Sequence, residues 1–161
     1  MHTAAYIYVR DNAPEKAKHV IDVGGRDING SVRDCFADSA RYVSVDPIDG
    51  RGVDEVVDFL EYKPKGKTKP DVVICCEVIE HASNWHAIID RAHDMLAVGG
   101  TLIVTAAGPE REPHSAYDGA ALRDDEYYAN IDPDDLSAAL SVFSEASIDV
   151  SGDDVRAVAV K

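Results

Sequence analysis

The sequence predicts an α/β protein built on a doubly wound, mostly parallel sheet with helices on both faces. Three observations carry that expectation. Short β-branched apolar runs recur along the chain and are nearly continuous, as strands buried on both faces require. Segments of helical periodicity lie between them, and strand–helix alternation is the mark of the class. Finally, the chain ends on two candidate strands joined so briefly that only an antiparallel hairpin, placed at a sheet edge, can connect them.

Taken in order, residues 4–18 are ambiguous, because Pro14 interrupts whatever helix Tyr6, Ile7 and Val9 begin. Residues 20–23 read as the first strand, running into Gly24-Gly25. A helix is expected to start near Ser31, where Asp34 stands at capping-box spacing. Strands follow at 42–45, 53–57 and 72–76. The clearest helix spans 84 to about 98: Asn84 is its N-cap, Trp85, Ile88, Ile89, Ala92, Met95 and Leu96 share a face, and Gly99-Gly100 ends it. Residues 102–106 form the next strand. A helix then begins at Asp132 as N-cap, with Pro133 at the first position, Asp134 and Asp135 in the first turn, and Leu136, Leu140 and Phe143 inward. Strands at 146–150 and 155–160 close the chain around Ser151-Gly152-Asp153-Asp154.

A chain of 161 residues suits one core, so residues 1–161 are expected to form a single domain. Thirty acidic against sixteen basic residues give a formal charge of −14, which opposes a duplex nucleic-acid partner. Solubility explains the excess acid more simply than adaptation to a high-salt host. No apolar run reaches the ~18 residues needed to span a bilayer. The N-terminus lacks the basic start and apolar stretch of a secretory signal, so a cytoplasmic location is expected. Of the three cysteines, Cys75 and Cys76 are adjacent in a strand, point to opposite faces and cannot readily bridge; all are read as reduced.

The functional signal is a strand, a glycine turn and a distant acid. His19 to Gly30 runs from strand into turn, and the strand that follows ends on Asp46, roughly where an acid accepts hydrogen bonds from ribose hydroxyls. A dinucleotide fingerprint fails here, since the second and third glycines of G-x-G-x-x-G are replaced by Arg26 and Asn29. A side chain at Arg26 would fill the space a pyrophosphate needs. A cofactor without phosphates has no such need, which points to S-adenosylmethionine. Its sulfonium also tolerates an acidic rim better than a pyrophosphate would.

Four segments in sequence strengthen that reading: Val20-Ile21-Asp22-Val23-Gly24-Gly25, Val43-Ser44-Val45-Asp46, Asp71 to His81 with its Glu77-Val78-Ile79-Glu80-His81 ending, and Val98-Gly99-Gly100-Thr101-Leu102-Ile103-Val104. In order and spacing the chain resembles the class I S-adenosylmethionine-dependent methyltransferases, especially the small "type 11" group. The resemblance spans about residues 20–105. It implies a Rossmann-like seven-stranded sheet whose last strand is antiparallel, S-adenosyl-L-methionine as cofactor and S-adenosyl-L-homocysteine as product. It places Asp22, Gly24 and Gly25 near the methionine moiety and Asp46 on the ribose. By the same likeness Asp58 takes the adenine amino group with Phe59 in backbone contact, and Cys76 and Glu77 flank the methionine amino group and sulfonium. Arg26 departs from the family's D-x-G-x-G pattern.

Two other functions compete: an NAD-type oxidoreductase, disfavoured by Arg26 and Asn29, and a catalytically silent Rossmann-like binding module. For transfer to an acceptor that keeps its proton, His81 and His114 are the candidate bases, because imidazole titrates near neutrality. His81 could equally close a turn. Glu80 and His81 lie near His86, but no H-E-x-x-H and no zinc-spaced cysteine pair occurs, so no metal site is expected. Lys63, Lys65, Lys67 and Lys69 form a basic loop, either a solvated connector or a contact for a substrate anion. Residues 108–130, carrying His114, Tyr117, Asp118, Tyr127 and Tyr128, form the longest irregular stretch and leave the fifth strand where a pocket should be. Neither an Asp/Asn-Pro-Pro-Tyr/Phe signature nor a Pro-Cys nucleophile follows the fourth strand. A small-molecule acceptor is expected.

Overall fold

The structure is a computed structural model and describes residues 3–39 and 41–161. Its strands are β1 (His19–Val23), β2 (Arg41–Asp46), β3 (Glu55–Val56), β4 (Val72–Cys76), β5 (Thr101–Ala107), β6 (Glu145–Ser151) and β7 (Asp154–Val160). Its α-helices are α1 (Thr3–Asn12), α2 (Trp85–Met95) and α3 (Pro133–Ala139). The seven strands form one sheet in the order β3-β2-β1-β4-β5-β7-β6. β3, β2, β1, β4 and β5 run parallel, while β7 pairs antiparallel with both β5 and β6. The doubly wound sheet with its closing edge hairpin is thus the one the sequence predicts.

Side chains alternate across the strands and feed two cores. Ile21, Val23, Val73, Cys75, Leu102 and Val104 pack under α2 and α3 with Ile88, Ile89, Leu96, Leu136 and Leu140. On the other face Val20, Val72, Ile74 and Ile103 meet Val9, Val32 and Phe36. Cys75 joins the first cluster and Cys76 packs against the second, on opposite faces as expected. All three cysteines are free thiols. The ambiguous opening segment resolves as α1, which ends before Pro14 and buries Ala5 and Val9.

Four elements differ from their sequence forecast. The helix expected near Ser31 is a single 3-10 turn, Arg33–Phe36, with Ser31 Oγ accepting from the Arg33 amide at 3.1 Å. Only Val32 and Phe36 in that segment are apolar and buried, and one turn suffices to bury both. α2 stops at Met95 instead of about 98: Leu96 is extended (ψ 145°), the Ala97 amide turns to the Pro70 carbonyl, and Val98 is 92% exposed. Asn84 occupies the N-cap position but makes no side-chain cap bond. β3 shrinks to two residues at the sheet edge, where only β2 pairs with it. α3 is short and continues as a 3-10 turn, Leu140–Val142; Asp132 caps it as predicted, accepting from the Asp134 and Asp135 amides.

Between β1 and β4 the strand order reverses direction, so the connections leaving their C-terminal ends diverge and open a crevice. The registers bring Asp22 opposite Ser44 and Ile74, and Cys76 opposite Thr105, at the mouth of that crevice.

Candidate active site

The floor of the crevice is the turn after β1. Gly24 has φ +65°, and a Cβ there would lie 2.3 Å from Val78 Cγ2; a Cβ on Gly25 would lie 2.2 Å from Ser44 Oγ and 2.5 Å from Asp22 Oδ2. A Cβ at either position would meet protein atoms closer than contact allows, so glycine lets the turn pack this tightly while both residues line the crevice. The Gly24 amide donates to the Val45 carbonyl at 2.8 Å, which ties the turn to the end of β2. There Asp46 accepts from the Ile48 amide at 2.8 Å and from the Arg26 amide at 3.4 Å. Two such bonds leave a carboxylate with lone pairs to offer a ligand. Asp22, behind the turn, accepts from the Tyr42 hydroxyl at 2.6 Å. Burial pushes its carboxyl up to about 7, against the lowering effect of the Tyr42 bond and of Arg33.

The wall is built where β4 ends. Glu77 has φ 57°, rare for a side chain other than Gly or Asn, and its amide donates to the Thr105 carbonyl at 2.8 Å. Its carboxylate accepts from Thr105 Oγ1 at 2.9 Å and stands 3.6 Å from Arg111 Nη2. Arg111 also reaches Asp154 at 2.5 Å. The chain then makes a 3-10 turn, Ile79–His81, that buries Glu80 completely. Glu80 Oε1 accepts from the Ala107 amide at 3.2 Å. Burial, then repulsion from Glu77, holds the Glu80 carboxyl above the ordinary carboxylate range. Beside it the ring of His81 packs edge-on to His114 (5.0 Å between centroids) and Tyr128 (5.3 Å), and His114 and Tyr128 are themselves 5.3 Å apart. Burial, then the His114 charge, lowers His81 to about 4, so its ring stays neutral in neutral solution.

Residues 108–130 form the roof. Glu126 organises the loop by accepting from Ser115 Oγ at 2.9 Å, the Ala116 amide at 2.8 Å and the Arg123 amide at 3.0 Å. Asn130 clasps its base through the Gly108 and Arg111 carbonyls. Arg26 provides the link to the floor: its Nη2 donates to the Ala116 carbonyl at 2.9 Å, and its guanidinium lies 5.8 Å from the centre of the Tyr117 ring. The residue that breaks the glycine pattern therefore reaches from the turn to the loop.

Floor, wall and roof border a half-open cavity of about 1080 Å³. All ten residues singled out from sequence line it: Asp22, Gly24, Gly25, Asp46, Asp58, Phe59, Cys76, Glu77, His81 and His114. Asp58 also accepts from the Leu60 amide at 2.8 Å, shaping the turn that buries Phe59. The basic loop does not reach the cavity. It precedes β4 and so lies at the opposite end of the strands, with Lys65 on Glu55 at 2.5 Å and Lys69 on the Asp94 carbonyl. His86 stacks on Trp85 at 3.6 Å, away from the other imidazoles. Sequence reading missed Thr105, Arg111 and Tyr42. Tyr42 had a signal, since a tyrosine in a buried strand needs a partner for its hydroxyl; the contacts of Arg111 span distant segments and had none.

A family model described as a methyltransferase domain matches residues 7–148. No curated protein matches the chain. Among solved structures, the chain resembles a SAM-dependent methyltransferase from Archaeoglobus fulgidus with TM-score 0.71 and 12% identity, over 98% of this chain and 93% of that one. It resembles the N-methyltransferase NodS from Bradyrhizobium japonicum WM9 in complex with S-adenosyl-L-homocysteine (TM-score 0.66, 12% identity, 98% and 84% covered). A third is the 1,6-didemethyltoxoflavin-N1-methyltransferase of Burkholderia thailandensis, with 1,6-didemethyltoxoflavin and S-adenosylhomocysteine bound (TM-score 0.68, 12% identity, 99% and 77% covered). At such identities the likeness is one of fold.

Proposed function

The chain belongs to the methyltransferase domain family, and from that premise we propose that it transfers the methyl group of S-adenosyl-L-methionine to a small-molecule acceptor. The observation that carries the reading is the cradle at the C-terminal ends of β1 and β2, where a Cβ at Gly24 or Gly25 would collide and the Asp46 carboxylate closes the far side. Such a backbone-lined hollow ending on an acid fits a nucleoside. Asp46 would accept from the ribose hydroxyls, Asp58 from the adenine amino group beside Phe59, and Asp22, Gly24 and Gly25 would border the methionine moiety. Cys76 and Glu77 would flank its amino group and sulfonium. When bound, that cofactor supplies a methyl group on a cationic sulfur, open to in-line displacement. The four acids around it favour the cation.

What the protein contributes is alignment. A cavity of about 1080 Å³ lies at the upper end of the usual range for one ligand, which leaves room for an acceptor next to the cofactor. His81 and His114 line the cavity as the groups able to hold an acceptor and share its proton, with Tyr128 packed edge-on against both rings. The His114 Nδ1 lies 3.3 Å from the Glu112 carbonyl, which fixes Nδ1–H as donor and leaves Nε2 as the basic nitrogen. Charge favours a small acceptor over a duplex: the chain carries a net charge of −14. The small-molecule ligand of the Burkholderia neighbour supports the same class. No helix among the described residues is long and apolar enough to cross a membrane.

Calorimetric titration of the wild type and of Asp46→Ala with S-adenosylmethionine and S-adenosylhomocysteine tests the reading. Both ligands should bind the wild type, and the variant should lose at least about tenfold in affinity, the loss of one or two charged hydrogen bonds. A wild type that binds neither at high micromolar concentration would sink the proposal.

A further inference from the structure

Glu80, His81 and His114 bring one ligating atom each, a carboxylate oxygen and two imidazole nitrogens, to within 4.8 Å of one another. Two of these residues come from the turn after β4 and the third from the roof loop, so no contiguous motif announces the cluster. From this geometry we propose a metal site: Glu80, His81 and His114 hold a divalent first-row transition ion, of the Zn²⁺ type, at the acceptor side of the cavity.

The second observation is the state of Glu80. It is 0% exposed, and while Oε1 accepts from the Ala107 amide, Oε2 has no hydrogen-bond partner. Buried carboxylates are paired, fully hydrogen-bonded or bound to metal. The nearby cation, Arg111, is engaged by Glu77 and Asp154. His81 Nδ1 is likewise buried without a partner. Two unpartnered ligand atoms on adjacent residues, with the His114 ring packed against His81 beside them, are what an ion would satisfy at once.

The surroundings fit a metal as well. His114 turns Nδ1 to the Glu112 carbonyl, the outer hydrogen bond that commonly orients a ligating imidazole. Tyr128 packs edge-on against both rings and fixes their planes. Two histidines and one glutamate form the donor set of catalytic zinc sites, which leave a position open for water or substrate. Ligand atoms around such an ion stand about 3–4 Å apart, so the cluster must close by about an ångström. His114 sits on an irregular loop able to supply that movement. An acceptor oxygen at the open position would be polarised by the ion, and the two imidazoles would then serve as ligands instead of bases. That role rests on the methyl-transfer reading; the metal site itself does not.

The metal-stripped full chain, titrated with ZnCl₂ in the absence of cofactor, should take up one equivalent by calorimetry. CoCl₂ should give the visible absorption of a low-symmetry, four- or five-coordinate site. Glu80→Gln and His114→Ala should each weaken Zn²⁺ at least about tenfold, while His86→Ala should bind as the wild type does. His114 lies on the roof loop, so its variant tests the site even where Glu80→Gln unfolds, and thermal melts tell the two cases apart. A parallel titration with S-adenosylhomocysteine in EDTA separates the two proposals. Zn²⁺ uptake without S-adenosylhomocysteine binding supports the metal site and sinks the cofactor reading. S-adenosylhomocysteine binding with no saturable Zn²⁺ uptake overturns the metal site, as does uptake undiminished in His114→Ala.

Discussion

One methyl group at the turn after β1 is enough to test the cradle. In Gly25→Ala the new Cβ would sit 2.2 Å from Ser44 Oγ and 2.5 Å from Asp22 Oδ2, the ends of two short, buried side chains with little room to move. Overpacking of this kind costs about 1–3 kcal/mol, to be read from urea unfolding, and S-adenosylhomocysteine binding should fall with it. Asp22 carries a prediction of different kind. Burial sets its folded pKa near 7 against an ordinary 3.8, with Tyr42 and Arg33 lowering it and Asp46 and Asp54 raising it. The folded state therefore holds the proton longer than the unfolded one. Stability from this group is full below pH ~4 and falls as pH rises toward 7. A cationic methionine group beside Asp22 would favour the carboxylate, so cofactor binding should expel a proton near neutrality. Affinity should then climb with pH up to about 7 and level off above it. Calorimetry at pH 6.5 in two buffers of different ionisation enthalpy measures the release, and Asp22→Asn should abolish it. Equal heats in both buffers for the wild type would remove Asp22 from the cofactor's surroundings.

Among the elements, the roof loop is tied to the floor through Arg26, and cutting that tie has a readable consequence. Arg26→Ala removes the bond to the Ala116 carbonyl and the contact with Tyr117. Amide exchange at residues 115–118 should quicken, and, on the proposed reading that the loop borders the acceptor, KM for the acceptor should rise more than the Kd for S-adenosylhomocysteine. At α3, Asp132→Ala loses a cap that accepts two amides and should cost about 1 kcal/mol in urea unfolding. Which elements were legible follows from the same physics. β1, β2, β4 and β5 are buried on both faces, so apolarity alone marks them to within a residue or two. β3 pairs on one side only, and its apolar run from Val53 to Val57 overstates it. Capping spacing at Ser31 and Asp34 predicts a helix, but local signals do not say how much surface remains to be covered once α1 lies on the same face. That Asp22, Asp46 and Glu77 line one cavity was legible because these acids lie at or near strand ends, which pattern locates. The pairing of Glu80 and His81 with His114, by contrast, depends on where the roof loop folds back, a long-range event with no local trace.

The whole molecule concentrates negative charge, and the sheet order decides where it acts. Because β1, β2, β4 and β5 are parallel, their C-terminal ends share one edge, and Asp22, Asp46, Asp58 and Glu77 gather around a single cavity. A net charge of −14 adds a background potential of the same sign. S-adenosylmethionine and S-adenosylhomocysteine differ by one methyl group and one positive charge at sulfur, so the ratio of their affinities isolates the response to that charge. All other contacts cancel. Interactions across the cavity and from the surface are screened over about 10 Å at 0.1 M salt and about 3 Å at 1 M. The preference for S-adenosylmethionine should therefore shrink several-fold as KCl rises from about 0.05 M to about 1 M, with the affinity for S-adenosylhomocysteine changing less. Asp58→Asn should reduce the slope, since it removes one of the four acids without touching the glycine turn. A ratio independent of salt would mean that the sulfur lies outside the field of these acids, and the cofactor would have to be placed elsewhere in the cavity.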